Sequence, residues 1–356
     1  MSSWRTNSTT PHSSARLIDL NELPLDALEI ELSTPPAELL SDTTVVLLHP
    51  EQGRDAAVLK VARGVLGAAE LRTQRRVLAE LAIHHRLDEE WRELLPRILA
   101  FNERTDATTS VESYRPGTDL GEMLARHPDC AEELTAAALA AIAPLHRRTA
   151  TFVGVDNVCY LRRWVIEPLA DLTYMCQRLD PQLVPEVERL GAMVRQSVIG
   201  RRIPMSWTHG DYTPGNVRVA DMRGPVTGIV DWAGARPGRP AFIDEYLMLL
   251  TVSCQVEQAD LGSIVAERVS TGGLSECERD SLRAARKVDG NHKRADAQID
   301  ERVAILLTWL HRIADMWRKR ATHPNQHHWW AANVAPVLFA VAAEHGSQGS
   351  DFDGWA

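Results

Sequence analysis

The chain has 356 residues, and its composition, 44% hydrophobic and 24% charged, is that of an ordinary globular protein. This length predicts one large domain or two smaller ones. The 39 basic and 48 acidic residues leave a net charge of −9. That charge argues against nucleic acid as a partner, because nucleic-acid binders present basic patches to phosphates. The five cysteines are scattered without CxxC spacing, which predicts neither a disulfide framework nor a zinc site.

The sequence shows no sign of export or membrane insertion. Its N-terminus lacks the apolar segment of a secretory signal, and no stretch approaches the ~18 or more apolar residues of a membrane span. We therefore expect a cytoplasmic protein without a membrane partner. The composition leaves its oligomeric state open.

The first third of the chain is predicted to be small and β-rich. Residues 1–19, rich in Ser, Thr, Asn and Pro, are predicted to form a disordered tail. Three β-rich runs follow between turn segments: ALEIEL, TTVVLLH and AAVLKVA. Residues 66–87 then repeat apolar positions at three- and four-residue steps, as an amphipathic helix does. Residues 96–114 are typical of two strands around a polar turn, so residues 20–114 are predicted to run β-β-β-α-β-β.

The predicted secondary structure changes from mostly strands to mostly helices after RPG at 115–117. Residues 115–345 are predicted to be mostly helical, with long apolar-periodic segments such as AEELTAAALAAIAPLHRRT. A β-like stretch at 215–232 interrupts them, and residues 346–356 are predicted to be a frayed tail. The predicted fold class is α+β, with a small β-rich lobe containing one main helix and a larger, mostly helical lobe.

One loop motif and one strand end contain the residues predicted to act in a reaction. HGDYTPGN, residues 209–216, places Asp211 and Asn216 around a proline and a glycine, so they lie on a loop where they can converge. The alternating stretch that follows predicts a hairpin that returns Asp231 toward the loop. Asn216 and Asp231 offer oxygen ligands that suit Mg²⁺, while Asp211 can accept a proton from a hydroxyl. A base with two metal ligands is the arrangement of phosphoryl transfer, which depends mostly on positioning and charge neutralisation.

These two motifs, HGD(YTPG)N and VDW, resemble the signatures of the aminoglycoside phosphotransferase and choline-kinase-like family of small-molecule kinases. The resemblance implies a bilobal protein-kinase-like fold with ATP and Mg²⁺ as cofactors. By the same resemblance Asp211 is the catalytic base and Asn216 and Asp231 are the metal ligands. His209 would brace the loop.

A kinase also needs a strand lysine that holds the nucleotide phosphates. AAVLKVA offers Lys60, which is the only lysine before residue 287. Its expected partner is a helix glutamate, but counting along the predicted helix reaches Gln74, with Glu70 one turn earlier on the same face. Either Glu70 pairs with Lys60 or a hydrogen bond replaces the ion pair, and we favour Glu70.

The remaining nucleotide contacts are predicted at the end of the β-rich lobe. VESYRPG, residues 111–117, resembles the hinge between kinase lobes, whose backbone around Glu112 and Tyr114 would then bond adenine. The sequence has no GxGxxG segment to hold the phosphates. In the family that the sequence resembles, this loop is often degenerate.

Two further segments flank the motif. GRPAFIDEYLMLL, residues 238–250, resembles the family's GDPxxDLA segment, with Arg239 in place of the usual acid. Asp244 is then predicted to be a structural carboxylate that supports the catalytic loop. Tyr212 and Thr213 directly follow the predicted base and lie close enough to it to touch an acceptor.

The acceptor is predicted to be a hydroxyl-bearing small molecule. Antibiotic-modifying members of the family meet cationic substrates with carboxylates, and the helical lobe offers five candidates: Asp156, Glu167, Asp171, Glu245 and Glu257. An aminoglycoside or peptide antibiotic is therefore one acceptor, with antibiotic resistance as the outcome. A sugar, cyclitol or amino alcohol is the alternative. A nucleotide-binding pseudokinase that serves as a scaffold is an alternative of another class.

Overall fold

The structure is a computed structural model that describes residues 3–7, 16–19, 43–50, 56–105, 107–155, 158–288, 299–320 and 325–349. The chain divides into two compact units. Unit 1 takes in Met1–Gly117 together with Thr227–Gly234, and unit 2 takes in Thr118–Val226 together with Ala235–Ala356. None of the described helices is long and apolar enough to cross a membrane.

Unit 1 is built on an antiparallel sheet of six strands among its described residues, in the order β2-β1-β3-β4-β6-β5. The strands are β1 Ser3–Asn7, β2 Arg16–Asp19, β3 Thr43–Pro50, β4 Ala57–Ala62, β5 Ile98–Glu103 and β6 Thr108–Ser113. Alternate apolar residues of β3, β4 and β6 form a buried cluster that includes Leu48, Leu59 and Val111. This cluster fixes the register of β4, and with it the position of Lys60.

One long helix, α1 (Val65–Ala82), accompanies the sheet, and a short helix, α2 (Glu89–Arg92), follows it. The buried face of α1 carries Leu71, Val77, Leu78 and Leu81, and also the polar Gln74. A polar side chain on an apolar helix face requires a hydrogen-bond partner, and Gln74 has two in the candidate site.

Unit 2 is mostly helical. Its helices are α3 Leu120–Arg126, α4 Ala131–Thr149, α5 Val158–Leu161, α6 Glu167–Leu179, α7 Val184–Val198, α8 Phe242–Glu257, α9 Leu261–Thr271, α10 Glu276–Val288, α11 Glu301–Arg320, α12 Gln326–Asn333 and α13 Ala335–Gly349. A π-helical segment, Arg162–Ile166, joins α5 to α6. Strand β9 (Arg202–Thr208) lies between β8 (Thr151–Gly154) and β12 (Arg236–Pro240), and β7 (Thr118–Asp119) pairs with β10 (Val217–Val219).

The predicted α+β class is confirmed, and the predicted elements at 43–113 are present. The predicted strand ALEIEL lies outside the described residues. Residues 1–19 are not wholly the predicted tail, because β1 and β2 extend the sheet through backbone hydrogen bonds that depend little on side-chain polarity. Likewise α13 continues to Gly349, into the segment 346–356 that was predicted to fray.

The division into units differs from the predicted lobe boundary at residue 115 in one respect, because Thr227–Gly234 belongs with unit 1. This segment contains the end of β11 (Val226–Ile229) and a 3₁₀ turn, Trp232–Gly234. The Ile229 N–H donates to Leu94 O at 2.9 Å, and the fully buried Trp232 ring meets the Trp91 ring edge-on, 6.1 Å between centroids. Asp231 is therefore held in unit 1.

Candidate active site

The loop 209–216 in unit 2 brings Asp211 and Asn216 together. It follows β9, and its second residue, Gly210, has φ +79°, a left-handed conformation that favours glycine. Asn216 closes a 3₁₀ turn, Pro214–Asn216, and its Nδ2 donates to the Asp211 backbone O at 2.7 Å. This bond uses the amide nitrogen of Asn216 and leaves its oxygen, Oδ1, available as a ligand.

A buried carboxylate holds the start of this loop. Asp244, on α8, accepts hydrogen bonds from the His209 N–H at 2.7 Å and the Gly210 N–H at 2.9 Å. It also lies 2.9 Å from Nε2 of His146 on α4. Burial alone would raise the pKa of Asp244, but the hydrogen bond and charge of His146 outweigh it and hold the pKa below its ordinary value. The structure thus places Asp244 under the loop.

Tyr212 is part of the core. Its side chain is fully buried, its ring lies 5.7 Å from the His209 ring, and its hydroxyl donates to Ala138 O at 2.6 Å. Burial raises the pKa of Tyr212 well above its ordinary value. The prediction that Tyr212 touches an acceptor is wrong, because an aromatic ring on this loop contributes more stability when it is buried and anchors the loop to α4.

Arg312 is a contact of the predicted base that the sequence did not reveal. Its Nη1, on α11, forms an ion pair with Oδ1 of Asp211. The two residues are 101 positions apart, so no local spacing could have indicated the pair. Oδ2 of Asp211 has no hydrogen-bond or ion-pair partner among the described residues, and it is the oxygen left to take a proton.

Lys60 is the centre of a second polar cluster, in unit 1. Its Nζ lies 3.2 Å from Oε1 of Gln74, 3.4 Å from Oε2 of Glu112 and 3.5 Å from Oδ1 of Asp231. Lys60 and Glu112 are buried, whereas about half of the Asp231 side chain is exposed. The cluster joins strand β4, helix α1, strand β6 and the segment after β11 around one ammonium group.

Besides Asp231, the carboxylate that pairs with Lys60 is Glu112, on strand β6 of the sheet. Gln74 is the α1 residue hydrogen-bonded to Lys60, and Glu70 lies one turn earlier on the helix, half-buried. Gln74 Nε2 donates in turn to Oε1 of Glu112 at 2.6 Å. Burial raises the pKa of Glu112, while the Lys60 charge acts in the opposite direction. The geometry therefore favours the alternative in which a hydrogen bond between Lys60 and Gln74 replaces an ion pair between Lys60 and a helix glutamate.

The backbone at Asp231 has an unusual conformation. Its φ is +66°, which is uncommon for a residue other than glycine and more often tolerated by Asp and Asn. Trp232, which donates its Nε1–H to Ile229 O at 2.8 Å, holds the turn against the unit 1 core. The VDW motif therefore joins Asp231, a predicted metal ligand, to the tryptophan that anchors its turn.

The adenine contact predicted around Glu112 and Tyr114 stays a prediction. The Glu112 side chain faces Lys60, and the residue pairs with strands on both sides of β6. The Tyr114 N–H donates to Ala56 O at 3.1 Å, so this donor is already used within unit 1.

The residues predicted as metal ligands have the right chemistry for Mg²⁺. Asn216 presents a carboxamide oxygen and Asp231 a half-exposed carboxylate, both of them hard oxygen donors. Within the described residues no three His, Cys, Asp or Glu side chains converge as a metal site.

The carboxylates predicted to attract a cationic acceptor are largely engaged by arginines. Glu167 pairs with Arg162 at 3.1 Å, Asp171 with Arg318 at 2.6 Å, and Glu257 with Arg268 at 2.7 Å. Glu245 is buried on α8, and Asp156 lies outside the described residues. The three paired carboxylates are about a third to a half exposed, so water screens these pairs.

The family model of APH, the phosphotransferase enzyme family, matches residues 34–262. Among solved structures, the chain is similar to a thermostable mutant of aminoglycoside phosphotransferase APH(4)-Ia in a ternary complex with ADP and hygromycin B. Identity is 12%, 88% of this chain and 97% of that chain are covered, and the TM-score is 0.53. It is also similar to ADP-bound aminoglycoside phosphotransferase APH(2'')-Ib, with 12% identity, 91% and 98% coverage, and a TM-score of 0.51. No protein of curated function matches the sequence. These similarities confirm the predicted kinase-like fold.

Proposed function

The chain belongs to the APH phosphotransferase enzyme family, and on that premise we propose that it transfers the γ-phosphate of ATP to a hydroxyl group of a small molecule. The solved APH(4)-Ia and APH(2'')-Ib structures both contain ADP, which supports an adenine nucleotide as the donor. In the proposed reaction the acceptor oxygen forms a bond to the γ-phosphorus and the bond to the β-γ bridging oxygen breaks. The hydroxyl proton is lost and ADP leaves.

The observation that carries the proposal is the state of Asp211. One of its oxygens is held by Arg312, and the other is open among the described residues. The carboxylate is about a quarter exposed, so a hydroxyl can reach it. A carboxylate held in one orientation by an arginine and a supported loop is suited to orient an acceptor hydroxyl and take its proton.

Three other residues hold the donor in this proposal. Asn216 and Asp231 are the ligands for Mg²⁺, which when bound neutralises charge on the phosphate oxygens. Lys60 holds the phosphates with its ammonium group, which Gln74 and Glu112 keep in place. Glu70 and the backbone near Tyr114 remain proposed nucleotide-binding positions. The cytoplasm remains the proposed location.

The acceptor is either an antibiotic or a metabolite in this proposal. Expression in an antibiotic-sensitive host separates these, because an antibiotic kinase raises the concentration of drug that the host survives and a metabolic kinase does not.

The test is Asp211→Asn, which removes the base and keeps the size of the side chain. We expect kcat to fall by about 10²- to 10⁴-fold, the usual contribution of a general base. Affinity for a non-hydrolysable ATP analogue should be nearly unchanged. Asp221→Asn, the same substitution at an exposed turn residue of unit 2, is the matched control.

Undiminished transfer by Asp211→Asn would remove Asp211 from the proposed role. Magnesium-dependent ATP binding by the unaltered protein without transfer to any hydroxyl compound would instead favour the pseudokinase scaffold.

A further inference from the structure

A basic cavity lies in unit 2, and none of its lining residues is among the residues proposed to act in catalysis. Its volume is about 270 Å³, close to the lower end for small-ligand pockets. The charged residues that line it come from three elements: Arg163 and Glu167 near the start of α6, Arg236 and Arg239 on β12, and Asp315 and Arg318 on α11. Four arginines thus face two carboxylates, in a chain whose net charge is −9.

The positive charge of this cavity is only partly neutralised. Arg318 pairs with Asp171 at 2.6 Å and with Asp315 at 2.9 Å. Within the part of the chain that the structure describes, the guanidinium groups of Arg236 and Arg239 have no ion-pair partner. Burial lowers the pKa of Arg239 and the neighbouring Arg236 charge lowers it further, while the charges of Asp315 and Asp244 act in the opposite direction. Two guanidinium groups that repel each other at the wall of a cavity would gain free energy from a bound anion.

Two buried polar atoms on the lining residues also need a partner. Trp164 and His311 are 2% and 6% exposed, and neither Trp164 Nε1 nor His311 Nε2 has a hydrogen-bond partner among the described residues. Burial, and then the Arg239 charge, lower the pKa of His311 to about 3, so its ring is neutral near pH 7. Its other ring nitrogen is hydrogen-bonded to the Trp164 backbone, which leaves Nε2 as an acceptor for a hydroxyl.

The cavity and the predicted base share one helix. His311, Asp315 and Arg318 lie at four- and three-residue steps on one face of α11. Arg312, the next residue after His311, makes the ion pair with Asp211. A molecule held in this cavity by the β12 arginines therefore lies beside the element that contacts the base.

We propose that this cavity binds an acidic group of the acceptor, a carboxylate or a phosphate, through Arg236 and Arg239. The acceptor is then a hydroxyl-bearing anion and not a cationic aminoglycoside. This inference rests on the proposed function for the hydroxyl transfer, but the anion site itself does not.

The first experiment measures binding and needs no turnover. Calorimetric titrations of the full chain, with Mg²⁺ and a non-hydrolysable ATP analogue, use inorganic phosphate, gluconate, glucose 6-phosphate, glucose and glucosamine. We expect the anions to bind, and Arg239→Gln to weaken that binding by about ten- to a hundredfold, as loss of a charged hydrogen bond does. Gluconate and glucose 6-phosphate separate a carboxylate from a phosphate preference.

Two further variants accompany this experiment, a second substitution in the same site and a matched control. Arg236→Gln tests the same site at a more exposed position, in case Arg239→Gln fails to fold. Arg223→Gln, at an exposed turn of unit 2, is the matched control and should bind anions as the unaltered chain does. The anion site is overturned by an absence of saturable anion binding, or by equal anion binding in the folded Arg239 and Arg236 variants.

The second experiment measures phosphoryl transfer to the same four glucose-series compounds and to an aminoglycoside. We expect kcat/KM to be at least tenfold higher for an anionic member than for glucose, and Arg239→Gln to abolish that preference. Higher kcat/KM for glucosamine or the aminoglycoside overturns this inference alone. Arginine-dependent anion binding with no transfer to any compound contradicts the proposed function and leaves the anion site standing.

Discussion

The loop 209–216 of unit 2 and the Lys60 cluster of unit 1 differ in how closely each keeps the pattern that the sequence motifs predict. The loop of unit 2 has Asp211 and Asn216 joined through one hydrogen bond, with Asp244 beneath it. The cluster of unit 1 has the lysine but takes its buried carboxylate from strand β6, while the helix supplies Gln74. A loop held by backbone N–H groups needs one acceptor in one place, whereas an ammonium group can be neutralised from any side. We therefore expect the loop to be intolerant of change and the lysine cluster to tolerate a moved charge.

The largest expected effect is from Asp244→Ala, which removes the carboxylate that supports the 209–216 loop. It leaves two backbone N–H groups and His146 without their buried acceptor, which should cost about 3–5 kcal/mol of unfolding free energy. Urea unfolding measures it, with Asp221→Ala at an exposed turn as the control. A loss below about 1 kcal/mol would show that Asp244 does not support the loop.

The lysine cluster is tested by moving its charge. Glu112→Gln should lower kcat/KM for ATP by about ten- to a hundredfold, because Lys60 loses a buried charged partner. Adding Gln74→Glu restores a carboxylate within reach of Lys60, at the α1 position that now makes a 3.2 Å hydrogen bond. The double variant should regain most of the activity. If it is as impaired as the single variant, the strand position of the charge is essential.

A pH effect is expected from His311, whose buried ring has a folded-state pKa of about 3 against 6.5 ordinarily. Because the folded pKa is the lower one, this contribution to stability is complete above pH 6.5 and is lost as the pH falls toward 3. At pH 5 the loss is about 2 kcal/mol, at 1.36 kcal/mol per pH unit. Chemical unfolding at pH 7.5 and pH 5 should show a smaller difference for His311→Gln than for the exposed-site control His327→Gln. Equal differences would mean that His311 is not held neutral.

The smallest expected effect is from Arg72→Ala on the surface of unit 1. Arg72 pairs with Glu103 at 2.7 Å, but about half of each side chain is exposed. Water screens such pairs, so unfolding free energy should change by less than about 1 kcal/mol. A larger loss would show that this pair contributes more than a surface contact and that unit 1 depends on charges outside the Lys60 cluster.

The predictions from sequence succeeded where the determining contacts are local. The β-rich runs TTVVLLH and AAVLKVA indicated β3 and β4, because β-branched and apolar residues pack well on a sheet. The three- and four-residue steps after residue 66 indicated α1 for the corresponding reason. Composition does not indicate β1 and β2 within the first nineteen residues, because composition reports side chains whereas these strands are held by backbone pairing.

The HGDYTPGN and VDW motifs by themselves determined the chemistry proposed for Asp211, Asn216 and Asp231. They could do so because Gly210 at positive φ and the 3₁₀ turn Pro214–Asn216 bring Asp211 and Asn216 together within a few residues of chain. Only the tertiary structure decided that Glu112 meets Lys60, that Arg312 holds Asp211, and that arginines from three elements line one cavity. Those contacts join residues far apart in the chain, and their geometry follows from how strands and helices pack, which no spacing in the sequence records.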